Sequence, residues 1–154
     1  MAFIGHIVKG LIEAKDVITP DSNPFENQKE VLQELLDKAK NTRFGKHYQF
    51  EDLLQKTSIE KAFAETVPFF DYHRMDTEWW HRLHKGEKDI SWPGNPDYFA
   101  LSSGTTGKTS KRIPVTDAMI DAIRDAGIKQ VYALSNFDLP VDFFEKGILM
   151  LGSS

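Results

Sequence analysis

Ser102-Ser103-Gly104-Thr105-Thr106-Gly107-Lys108-Thr109-Ser110-Lys111 is the segment that most limits what this chain can become. Its two glycines stand three apart, every other position is serine, threonine or lysine, and Pro114 follows three residues after Lys111. Glycine lets the backbone turn so that successive N–H groups face one concavity. Pro114 bars a helix from running straight out of the loop, since proline inside a helix lacks the N–H and crowds the preceding turn. The apolar run Tyr98-Phe99-Ala100-Leu101 before the loop predicts a buried strand, and Lys111 to Val115 after it predicts an extended segment. A helix is then allowed only once Thr116 or Asp117 can cap it.

The first half of the chain has a different texture. Ile4, Ile7, Val8, Leu11 and Ile12 recur at helical spacing and predict one helix over about residues 2–17. Asn23 followed by Pro24 is a cap and a first helical residue, and Val31, Leu32, Leu35, Leu36 and Ala39 give the apolar stripe of a helix ending near Asn41. Thr57 with Glu60 has the form of a capping box for a short helix over 58–65. Val67-Pro68 ends it, and Asp71 can cap another helix running to about Lys85. After the loop, Ile120, Ile123, Gly127, Val131 and Leu134 mark an amphipathic helix over about 116–136, and Gly147 to Leu151 predicts a further buried strand. The expected class is α/β: a helical region over 1–95 leading into the strand, loop, helix and strand of 96–154, together one part of a larger domain.

Composition removes several functions. The chain has 154 residues and a formal net charge of −4. Residues 1–77 carry 10 basic and 13 acidic groups, and residues 78–154 carry 9 and 10. Neither half has the basic excess that phosphate-backbone binding requires, so no nucleic-acid partner is expected. No apolar run approaches the ~18 residues of a membrane span, and no membrane partner is expected. With no cysteine, the chain has no disulfide, thiol nucleophile or thiolate metal site, and a cytoplasmic location fits.

The loop is where chemistry is concentrated. A strand feeding a glycine-rich, hydroxyl-rich and lysine-bearing loop suits the oxygens of a polyphosphate. A flexible surface turn is the plainer reading of the same residues. A P-loop is the other phosphate-binding reading, but it needs glycine where this chain has Ser102, and it enters its helix directly at the Lys-Ser/Thr step.

The Ser-Gly-Thr-Thr-Gly core followed by a lysine resembles the phosphate loop of adenylate-forming enzymes. The doubled Ser102-Ser103 and the spacing Lys111-Arg112-Ile113-Pro114 are similar to the auxin-responsive Gretchen-Hagen-three family of acyl acid amido synthetases. Thr42-Arg43-Phe44-Gly45-Lys46-His47-Tyr48-Gln49-Phe50, Val67-Pro68 with Tyr72, and Gly86-Glu87 resemble that family's pieces in the family's order. The resemblance runs from about Pro24 to the last residue.

It implies an ATP-dependent ligase that converts a carboxylate into an acyl-adenylate and then transfers the acyl group to an amine such as an amino acid. The ATP phosphates would meet Ser102, Ser103, Gly104, Thr105, Thr106, Gly107, Lys108 and Lys111, with Mg2+ bridging phosphate oxygens. The later family pieces, among them the ribose-binding aspartate, the hinge and the C-terminal cap, are not found in these residues. The chain is therefore expected to be the N-terminal portion of the adenylating domain, with no catalytic residue assignable in it. A nucleotide-binding remnant without turnover stays open beside the ligase.

Other features point less far. His73, Asp76, His81 and His84 cluster in sequence, but no third ligand has diagnostic metal spacing, so a solvated polar face is expected and no metal site is assigned. Trp79 and Trp80 are adjacent, hence on different faces of a helix, and at least one is expected in the core.

Overall fold

The computed structural model describes residues 2–18, 23–102 and 110–146. It is mostly helical, with a single two-stranded antiparallel sheet among the described residues. The chain forms two compact units, residues 22–120 and residues 1–21 with 121–154.

In the unit of residues 22–120, α2 (Pro24–Ala39) starts where the Asn23 side chain accepts the Phe25 N–H at 3.0 Å, with Pro24 as first helical residue. Both features are local, and both were legible in the sequence. Between the helices expected to end near Asn41 and to begin near Ser58, the chain makes two single-turn helices, α3 (Arg43–His47) and α4 (Phe50–Leu54). Gln49, in the left-handed region with φ 53°, makes the corner between them. Phe44 is the centre of the packing, its ring 4.7 Å from Tyr48, 5.0 Å from Trp79, 5.6 Å from Phe70 and 5.8 Å from Phe50. Leu36, Leu53, Ile59 and Ile90 complete a core that α2, α4, α5 (Ile59–Thr66) and the loop near residue 90 share. The cap of α5 is Ser58, one residue later than the sequence suggested.

The helix predicted from Asp71 to Lys85 divides. α6 (Tyr72–Glu78) is capped by Asp71, whose Oδ1 accepts the Arg74 N–H at 2.7 Å. Trp79 then leaves helical geometry, and Trp80–Lys85 is a 3-10 helix closed by Gly86 at φ 81°. The break reconciles the two indoles. Trp79 is buried in the core, while Trp80 is half-buried and donates Nε1–H to Ser91 Oγ at 3.1 Å.

Strand β1 (Tyr98–Leu101) pairs antiparallel with β2 (Arg112–Val115), with Tyr98 opposite Val115 and Leu101 opposite Arg112. The strand was expected to be buried and is not: Tyr98 is 65% and Leu101 69% exposed. An apolar run specifies extended backbone but not which layers will cover it, and in this two-stranded sheet only Phe99 and Ile113 to Val115 are partly covered. The same holds for α7 (Asp117–Tyr132), which forms where expected with Thr116 Oγ1 accepting the Met119 N–H at 3.2 Å. Ile123 and Val131 on its apolar face are exposed. The strand predicted over 147–151 lies outside the described residues.

In the unit of residues 1–21 with 121–154, α1 (Ala2–Ile18) packs on two 3-10 turns, Ala133–Asn136 and Val141–Glu145. The helix is as predicted, but its buried face is rotated. Gly5 and Ile12 are buried and Val8 and Lys9 half-buried, whereas Ile7 and Leu11 from the expected stripe are exposed. Gly5 explains the rotation: a Cβ there would come within 2.7 Å of the Val141 carbonyl oxygen, so only glycine allows the approach. Lys9 supports it by donating Nζ to the Leu139 carbonyl at 2.8 Å while its stem packs. Among the described residues, no helix is long and apolar enough to cross a membrane.

Candidate functional site

The base of the glycine-hydroxyl loop is a closed hairpin end. Ser102 N–H donates to the Lys111 carbonyl at 3.0 Å, and Lys111 N–H donates to Ser102 Oγ at 3.1 Å. One serine thus holds the opposite strand through both its backbone and its side chain. Ser103, Gly104, Thr105, Thr106, Gly107 and Lys108 lie outside the described residues, so the described part of the sequence-predicted site is Ser102 and Lys111.

Strand alternation decides where the next residue's N–H goes. In an antiparallel pair only every second residue spends its N–H on the partner strand. Since the Ser102–Lys111 pair is hydrogen-bonded, Arg112 is at an outward position. Its N–H is taken at 2.9 Å by the hydroxyl of Tyr72, 40 residues earlier on α6. Pro114 is two residues on and faces the same outward edge, where a missing N–H costs nothing.

Two cations flank this edge, and each lies over an aromatic ring. Lys111 Nζ is 5.3 Å from the centre of the Tyr72 ring, and the Arg112 guanidinium is 5.1 Å from that of Phe99. Phe99 in turn packs on His84 at 4.8 Å. Cation–π contacts of this kind are worth about 0.5–1 kcal/mol when exposed, and they reduce the wandering of long side chains. Tyr72 packs against Trp80 at 6.2 Å. Beside the hairpin, Trp80, Trp92, Pro93, Pro96, Pro114 and Thr116 line a cleft of about 180 Å³.

The histidines expected on a polar face are divided by the helix break. His84 Nε2 meets Asp76 Oδ1 at 3.2 Å, and no group of three or more His, Asp or Glu residues is placed to hold a metal ion among the described residues.

The other sequence signature, Thr42 to Phe50, packs into the core through Thr42, Phe44, Gly45, Tyr48 and Phe50, while Arg43, Lys46, His47 and Gln49 are exposed. Thr42 is 1% exposed, donates Oγ1–H to the Ala39 carbonyl at 2.7 Å and accepts the Gly45 N–H at 3.0 Å. Arg43 and Phe44 donate their N–H groups to the carbonyls of Asp89 and Ile90 at 2.8 and 2.9 Å. The segment therefore ties the end of α2 to the loop that precedes β1. Arg43 and Arg82 both reach Glu87, at 3.2 and 3.0 Å, and the hydrogen bond and charge of Arg82 together with the charge of Arg43 hold its carboxyl below the usual range.

Residues 16–153 match the family model described as the GH3 family N-terminal domain. The chain belongs to the GH3 family. No curated protein and no solved structure matches it significantly. The GH3 match takes in both signatures, the Thr42–Phe50 segment and the hairpin that carries Ser102 and Lys111. Sequence reasoning named Tyr72 only as a point of family resemblance. Its contact with the GH3 loop base joins residues 40 positions apart, and no local pattern announces such a contact.

Proposed function

We propose that this GH3 chain supplies the ATP phosphate-binding part of a ligase that activates a carboxylate as an acyl-adenylate and transfers it to an amine such as an amino acid. The observation that carries the reading is the order of elements around the loop. Strand β1 enters, the Ser102–Lys111 pair closes the base, β2 leaves extended through Pro114, and α7 begins only at Asp117. A P-loop would already be helical from the lysine onward, and the extended backbone of Arg112–Val115 does not suit it.

In this reading Ser102, Ser103, Thr105, Thr106 and the backbone N–H groups at Gly104 and Gly107 donate to phosphate oxygens, while Lys108 and Lys111 supply charge. Attack of a carboxylate on the α-phosphorus needs no side-chain nucleophile. It needs the polyphosphate held in line and its growing charge neutralised. The described donors at the loop base, a hydroxyl and two cationic side chains, fit phosphate oxygens and not Mg2+ itself. Mg2+ would therefore arrive with the triphosphate and screen its charge. The chain would form the N-terminal part of the large adenylating domain, a helical region over 1–95 and the loop-bearing region over 96–154, in a cytoplasmic protein acting on small molecules.

The test is calorimetric titration of the chain with Mg2+–ATP. Lys111→Ala should weaken binding by about 1.5–3 kcal/mol, the value of a charged hydrogen bond. Equal affinity in the two proteins would take the loop out of the nucleotide site. Carboxylate-dependent exchange of pyrophosphate into ATP by the complete enzyme separates the ligase from a nucleotide-binding remnant, which would bind ATP without exchange.

A further inference from the structure

We propose that Tyr72 is a positioning residue for Lys111, setting where the lysine's charge stands at the mouth of the loop. The inference rests on the phosphate-binding reading above. Tyr72 comes from the first turn of α6, a turn fixed by the Asp71 cap. Its hydroxyl oxygen accepts the N–H of Arg112 at 2.9 Å, and its ring face lies 5.3 Å from Lys111 Nζ. One side chain thus holds two consecutive residues, one through its backbone and the other through its ammonium group.

The geometry points to Lys111 rather than to the strand as the object of this hold. The register of β1 and β2 is already set by four residue pairs and by the Ser102–Lys111 closure. Arg112 has its own aromatic partner in Phe99. The contact that Tyr72 adds is to an exposed lysine which, without the ring, would sample many rotamers. The ring is itself braced by Trp80 at 6.2 Å and His73 at 5.8 Å, so it offers a fixed face. A fixed cation meets a phosphate oxygen without first losing that freedom, which is how preorganisation raises affinity.

The experiment measures binding of inorganic triphosphate to the full chain by calorimetry in wild type, Tyr72→Phe, Tyr72→Leu, Lys111→Ala and the Tyr72→Leu/Lys111→Ala double variant. Tyr72→Leu removes ring and hydroxyl and should weaken binding about three- to tenfold; Tyr72→Phe keeps the ring and should lose about two- to threefold. If Tyr72 acts through Lys111, the double variant binds no more weakly than Lys111→Ala alone. Proton NMR adds a signature that a purely structural role would not move. The Lys111 ε-methylene protons should be shifted upfield by the ring in wild type and Tyr72→Phe, and should lose that shift in Tyr72→Leu.

Wild-type affinity in Tyr72→Leu where Lys111→Ala is weakened would overturn the inference alone. So would a loss in the double variant equal to the sum of the two single losses. Wild-type affinity in Lys111→Ala would remove the phosphate reading and the inference with it. Should Tyr72→Leu fail to fold, Tyr72→Phe tested with and without Lys111→Ala decides by the same non-additivity.

Discussion

Replacing Thr42 by valine should be among the most damaging isosteric changes in the chain, and the structure shows why. A helix leaves its first four N–H groups without intrahelical partners, and in α3 each of the four is met by a specific acceptor. Thr42 itself donates to the Ala39 carbonyl, Arg43 to the Asp89 carbonyl, Phe44 to the Ile90 carbonyl and Gly45 to Thr42 Oγ1. Valine keeps the shape but removes the acceptor for Gly45, in a place where Thr42 is 1% exposed and water cannot substitute. The Ala39 carbonyl loses one donor but keeps the Thr42 N–H at 3.0 Å. Loss of a cap costs about 0.5–2 kcal/mol and a stranded buried donor about 1–3 kcal/mol. These describe one event counted from two sides, so Thr42→Val is expected to cost about 2–3 kcal/mol. Thr42→Ser retains the oxygen and deletes one buried methyl, for about 1 kcal/mol. Urea denaturation followed by tryptophan fluorescence measures both, since Trp79 lies in the same core. A Thr42→Val loss below about 0.5 kcal/mol, or a Thr42→Ser loss equal to that of Thr42→Val, would refute the capping argument.

Gly45→Ala should be worse than an ordinary overpacking change of about 1–3 kcal/mol, because the added Cβ would land on the Ala39 carbonyl and on Lys40, backbone atoms that cannot rotate aside; a urea midpoint within error of wild type would refute this. Glu87 has a folded pKa below its ordinary value, so the stability it contributes is present above about pH 4.3 and is lost as pH falls through the depressed value. The gap in urea midpoint between wild type and Glu87→Gln should therefore be constant near neutrality and close in acid; a gap that widens in acid would show that the Arg82 and Arg43 contacts do not hold the carboxylate.

How much of this was legible in the sequence depended on the range of the interaction. The Asn23, Asp71 and Thr116 caps and the extended segments on either side of the loop from Ser102 to Lys111 are decided within a few residues, and all stand close to where the residues predicted them. Family membership was equally legible, because it rests on residue types in order. α3 and α4 were not. Each is a single turn, too short to show a period, and α3 owes its first two N–H partners to carbonyls more than 40 residues away.

The periodicity of α1 identified a helix but only part of its buried face: Val8 and Ile12 of the expected stripe are covered, Ile7 and Leu11 are not. Helical spacing weighs apolar side chains, whereas the packing used the smallness of Gly5 and the ammonium of Lys9 to meet backbone 130 residues distant. The split at Trp79 and the hold of Tyr72 on the loop base have the same origin. By itself the sequence determined the elements whose hydrogen bonds and turns close locally, and with them the extended segments that flank the loop. Which faces are buried, and which side chain stands beside Lys111, were decided by tertiary structure, because these depend on partners brought together only when distant segments pack.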